Sequence, residues 1–143
     1  MAVATAYTQL RPIHPLHALL LAFPVPFFLG ALVSDLAYWN TYHIQWSNFS
    51  SWMIAGGLVG GGFAMLWGLV NLFRYRRTAI TRHLVYFILL LVTWVLGFIN
   101  ALVHAKDAWA TMPEGLVLSA VTTVLAFVAA WIGYSGFRTV EVV

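Results

Sequence analysis

The sequence predicts an all-α fold: an integral membrane four-helix bundle running up-down-up-down. Three observations carry that prediction. The chain has 143 residues, 62% of them hydrophobic and 8% charged, which is more apolar surface than a soluble domain of this size has interior to hold. The apolar residues fall into four runs, each long enough to cross ~30 Å of hydrocarbon as a helix, where backbone groups must be satisfied within the segment. The connections between runs are short, so neighbours in sequence are antiparallel neighbours in space. Residues 1–143 read as a single transmembrane domain, with helices at roughly 16–38, 52–73, 83–104 and 114–137.

Composition also excludes. With no cysteine, disulfides, thiolate-held iron–sulfur clusters and c-type haem attachment are ruled out. No P-loop, HExxH or EF-hand pattern occurs, and no Ser-His-Asp set falls within one leaflet. Four acidic residues are too few for a carboxylate-rich diiron centre. The chain is basic, but its arginines adjoin apolar runs, which reads as membrane topology rather than a nucleic-acid footprint. Arg11, Arg74, Arg76, Arg77, Arg82 and Arg138 share one side of the four spans and Lys106 lies on the other. The positive-inside rule then puts both termini in the cytoplasm. Residues 39–51 and 105–113 become outer loops, with Trp39, Tyr42, Trp46 and Trp109 as interfacial anchors. A cleavable signal peptide is not expected, because the first run is too long and follows a polar leader.

The first span opens at Arg11-Pro12-Ile13-His14-Pro15-Leu16-His17. Pro15 suits the first helical position, placing His14 at the N-cap and His17 in the first turn. Pro24 and Pro26 should bend this helix. Asp35 lies five helical turns beyond His17 and shares its face; a carboxylate there should look inward at Lys106, His43 or His104. The second span carries a stripe of Gly57, Gly61, Ala64, Gly68 and Asn71. That stripe suits close helix contact, or a smooth face admitting a flat macrocycle. On the third span His83, Leu90, Thr93, Gly97, Asn100 and His104 occupy one sector, the face expected to look into the bundle. The fourth repeats the small-residue pattern with Gly115, Ser119, Thr122, Ala126, Ala129, Gly133 and Gly136.

The five histidines separate by depth on this topology. His14, His17 and His83 gather at the cytoplasmic end, His43 and His104 at the outer end. The first and third helices are diagonal in a square bundle, and paired imidazoles on facing helices are how bundles hold haem. The expected cofactor is therefore haem b, with His17 and His83 as axial ligands. His14 is an alternative or supporting ligand, Arg11 and Arg82 pair with the propionates, and Asn71 lies nearby. The same His17, His83 and His14 set would also suit a non-haem metal. An outer cluster of His43, His104, Asp35 and Asp107 is the place for a second haem or a quinone. His83 and His104 are about 31 Å apart along their helix, long for one electron hop, which favours a single site.

Several stretches resemble a known family. His14-Pro15-Leu16-His17, Phe23-Pro24, Asp35, His83, His104-Ala105-Lys106-Asp107-Ala108-Trp109, Pro113 to Ser119 and Ala130-Trp131-Ile132-Gly133-Tyr134 are similar to bacterial four-helix membrane proteins of domain-of-unknown-function family 2231. Helix two of such proteins often ends in an acidic residue where this chain has Asn71, and the closing segment Gly136-Phe137-Arg138-Thr139 is less basic. The resemblance implies a redox setting, since some relatives are fused to or encoded beside Rieske-type or quinoprotein partners. The expectation is an electron-transfer protein, rather than a stand-alone enzyme, moving electrons between the quinol pool and such a partner or a c-type cytochrome. The alternative is a non-catalytic membrane subunit that docks and stabilises a larger redox or transport complex, with the two small-residue stripes and the short aromatic outer loops as its support; an oligomer is compatible with either.

Overall fold

The computed structural model describes residues 14–74, 77 and 80–136. Among these all regular structure is helical: α1 Pro15–Ala22, α2 Pro24–Thr41, α3 Ile44–Arg74, α4 Ile80–His104, α5 Ala108–Thr111 and α6 Glu114–Gly136. Four helical stretches are long and apolar enough to cross a membrane: Pro15–Thr41 (α1 and α2 together), Ile44–Arg74, His83–His104 and Glu114–Ser135.

Local chemistry explains the boundaries. His14 caps α1, its Nδ1 accepting from the Leu16 N–H at 3.3 Å, and Pro15 follows at the first helical position. At Phe23 the first span breaks, because Pro24 and Pro26 cannot donate to the preceding turn. Phe23 keeps helical dihedrals (φ −62°, ψ −50°), so the chain continues in the same general direction. α2 ends at Tyr42, whose left-handed φ of 54° lets its N–H bond the Tyr38 carbonyl at 2.8 Å.

The second span differs from expectation. It begins at Ile44 rather than Trp52, so most of the expected loop 39–51 is helix and only Tyr42 and His43 link α2 to α3. Its polar residues suggest a loop, but Ser47 and Ser50, one turn apart, are buried at 4% and 0% exposure. They face the bundle rather than water.

α2 packs on α3 and α6, and α4 packs on the same two helices, so α2 and α4 stand at opposite corners. Their apolar contacts form two clusters. One contains Leu21, Tyr86, Leu90, Ala129 and Ala130; the other contains Phe28, Ala31, Ile54 and Ala126. The Phe28 ring lies between two glycines, where a Cβ on Gly57 or Gly97 would come within 2.9 or 3.0 Å of it. Phe23 and Phe27 press likewise on Gly60 and Gly56. Rings from the first span thus fill the glycine face at Gly56, Gly57 and Gly60.

Polarity is inverted relative to a soluble protein. Asp35, Asn100, His17, His83 and His104 are buried with eight serines and threonines, while Trp52, Trp131, Phe63 and Phe73 are exposed. Such an arrangement suits a bundle whose outer solvent is lipid.

Candidate functional site

The longest polar network is built from all four spans. α2 contributes Asp35, α3 Ser50, α4 Asn100 and His104, and α6 Ser119, every one buried. His104 Nε2 lies 2.9 Å from Asp35 Oδ1 and 3.3 Å from Ser50 Oγ. Ser119 donates to Asp35 Oδ2 at 2.5 Å and accepts from Asn100 Nδ2 at 2.8 Å. Ser50 Oγ also lies 3.3 Å from the Ala31 carbonyl. Gly115 gives the imidazole its seat, since a Cβ there would come within 2.8 Å of His104 Cε1.

Hydrogen-bond pattern fixes the proton count. His104 Nδ1 is 3.0 Å from the Asn100 carbonyl, which can only accept, so Nδ1 carries hydrogen. Nε2 and Oδ1 at 2.9 Å cannot both be bare acceptors, so one further proton lies between them. On nitrogen, that proton lets Ser50 accept from Nε2–H and still donate to Ala31 O. With it in place Asp35 and His104 are together neutral, as burial at 0% and 1% side-chain exposure demands. One atom stays unmatched: Asn100 Oδ1 is buried and has no hydrogen-bond partner among the described residues.

A second cluster occupies the opposite end. His17, at 2% exposure, stacks on Trp67 (centroids 5.6 Å apart, planes 7° from parallel) and meets the Tyr86 hydroxyl through Nε2 at 3.3 Å. His14 also touches Trp67, at 5.1 Å between centroids. His83 is buried one turn before Tyr86 on α4. Tyr134 of α6 donates to the Ala18 carbonyl at 2.7 Å. The start of the first span, the end of α3, the start of α4 and the end of α6 therefore meet here.

The expected residues divide accordingly. His14 and His17 come together on Trp67, and His17 meets Tyr86, which stands one turn along α4 from His83. Asp35 pairs with His104 and not with Lys106 or His43. His43 is exposed in the two-residue link, offering its backbone N–H to Thr41 Oγ1 at 3.4 Å. Asp107 is exposed and caps α5 through its carbonyl, so neither belongs to the buried network. Asn71 is half-buried one turn past Trp67. Arg82 lies in the first turn of α4 with its side chain outside the described residues, as is Arg11 altogether. Sequence reasoning missed Tyr86, Trp67 and Ser50, and took Ser119 for a small residue at a helix contact. Tyr86 was readable, being three residues from His83 on the polar face of its helix.

The space between Leu21, Phe28, Gly57, Leu90 and Thr93 at the bundle centre is about 10 Å³, whereas a groove between the first span and α6, lined by Ala22, Val25, Ala130, Trp131 and Tyr134, measures about 670 Å³, within the range of about 300–1,000 Å³ that ligand sites occupy. One ring face of His17 stacks on Trp67. Among the described residues no three His, Asp or Glu side chains are grouped to hold a metal ion.

No curated protein and no solved structure matches the chain. A family model does, over residues 13–139, so the chain belongs to the family described as "Predicted membrane protein (DUF2231)".

Proposed function

We propose that this protein is a membrane-embedded proton-binding module whose working group is the Asp35–His104 pair. The observation that carries the reading is the 2.9 Å contact between Nε2 and Oδ1, with Nδ1 already committed to a carbonyl. A buried ionisable pair drawn from facing helices is costly, and in membrane proteins such groups typically serve proton or ion transfer. Ser119 and Ser50 orient the two partners; Asn100 orients Ser119. The module is an up-down-up-down bundle in a bacterial inner membrane. Arg74, Arg77 and the other arginines hold both termini on the cytoplasmic side, which places the pair toward the outer face. In this reading it serves as a subunit that takes up and returns a proton for a larger redox or transport complex.

Infrared difference spectra between acid and alkaline steps, recorded on protein in lipid vesicles, test this. The carboxyl and imidazole signals should change together, and both should vanish in Asp35→Asn and in His104→Phe. A carboxyl signal unaffected by His104→Phe contradicts the proposal.

The gathering of His14, His17 and His83 at the other end favours a second reading, an electron carrier between quinol and a Rieske-type, c-type or quinoprotein partner. It requires the Tyr86 hydroxyl to leave His17 Nε2, where it now lies 3.3 Å away. A Soret band in protein from haem-replete cells, lost in His83→Ala, supports this reading; colourless protein refutes it.

A further inference from the structure

We propose that the Asp35–His104 site exchanges its shared proton for a sodium ion. The inference rests on the proton-binding reading and adds the ligand that replaces the proton. With the proton between Oδ1 and Nε2, the pair is neutral. When it leaves, His104 keeps its Nδ1 hydrogen on the Asn100 carbonyl, and Asp35 holds one negative charge at 0% exposure inside a membrane-spanning bundle. An isolated charge is not tolerated there. A small monovalent cation restores neutrality.

The surrounding atoms are of the class such a cation takes, since hard cations prefer oxygen ligands. Asp35 Oδ2 is 2.5 Å from Ser119 Oγ, which is 2.8 Å from the Asn100 amide. Asn100 Oδ1 is the independent sign: a fully buried acceptor for which the described residues supply no donor. Ser50 provides the switch, with Oγ 3.3 Å from both the Ala31 carbonyl and His104 Nε2. In the protonated form it accepts from Nε2–H and donates to Ala31 O. Once the proton has gone, its hydrogen turns to the bare Nε2 and leaves Ala31 O as another ligand oxygen. One sodium ion enters and one proton leaves, so charge balances and only an N–H or O–H bond is broken.

Other charges at this end do not substitute for the cation. Around the pair α3 offers Ser47 and Ser50 and α6 offers Ser119, all uncharged. Lys106 and Glu114 pair with each other at 3.5 Å on the surface, and Asp107 is exposed.

The test uses the full chain in detergent, dilute buffer and a pH-sensitive dye, adding sodium chloride or choline chloride. Sodium should release close to one proton per chain at saturation, choline none, and Asp35→Asn should abolish the release. Asn100→Leu and Ser50→Ala should each need at least several-fold more sodium for half-release, and the coupled carboxyl–imidazole infrared signal is recorded on the wild type as the control. Equal responses to both salts in wild type that still shows this signal would overturn sodium exchange and leave proton binding standing. Loss of the infrared signal itself would remove both.

Discussion

Replacing His104 with leucine should be among the most damaging single changes this protein can suffer. The histidine and Asp35 side chains are 1% and 0% exposed, so removal of the imidazole strands a carboxyl group in apolar surroundings with Ser119 as its remaining donor. Breaking one side of a buried pair costs about 3–5 kcal/mol, whereas an exposed pair would be worth only about 0–1 kcal/mol. Asp35→Val should cost less, about 1–3 kcal/mol, because Nε2 keeps Ser50 Oγ and Nδ1 stays on the Asn100 carbonyl while the Ser119 hydroxyl loses its acceptor. The double variant should lie within about 2 kcal/mol of wild type, since replacing both members by apolar groups of similar size removes the desolvation problem together with the attraction. Reversible unfolding in mixed micelles, followed by helicity, measures all three, and the cycle isolates the coupling. Single losses below about 1 kcal/mol, or a double loss equal to the sum of the singles, would refute a coupled buried pair.

Other substitutions probe the frame around the pair. Phe28→Ala should destabilise by about 3–5 kcal/mol in the same assay, because that ring fills the notch between Gly57 and Gly97 and its loss leaves a cavity. Gly115→Ala should cost about 1–3 kcal/mol through overpacking and shift the ring-nitrogen resonances of His104, whose Cε1 would stand 2.8 Å from the new Cβ. Lys106→Ala should change stability by less than about 1 kcal/mol, its partner Glu114 being 65% exposed.

Periodicity made much of this architecture legible. The sector of α4 from His83 to His104 and the small-residue stripe of α6 from Gly115 to Gly133 are the faces that are buried, because in lipid the inward face is where polar and small groups collect. Asp35 was readable as an inward carboxylate for the same reason. Its choice of His104 over Lys106 was not, since partner selection depends on how far each helix end projects into the bundle. Ser47 and Ser50 misled for a related reason: polarity at the end of an apolar run suggests water, yet here it serves another helix. The structure places His14 and His17 on Trp67, with His83 buried at the start of α4. What lies between them was hidden, because Trp67 and the phenylalanines of the first span are indistinguishable in sequence from lipid-facing aromatics.

Nitrogen-15 spectra of histidine-labelled protein in lipid bilayers at neutral pH address the shared proton most directly. The account predicts that His104 retains Nδ1–H and engages Nε2 in a strong hydrogen bond to a carboxyl group, and that Asp35→Asn removes the second proton while sparing the first. An Nε2 resonance typical of an unbonded ring, unchanged by Asp35→Asn, would contradict it.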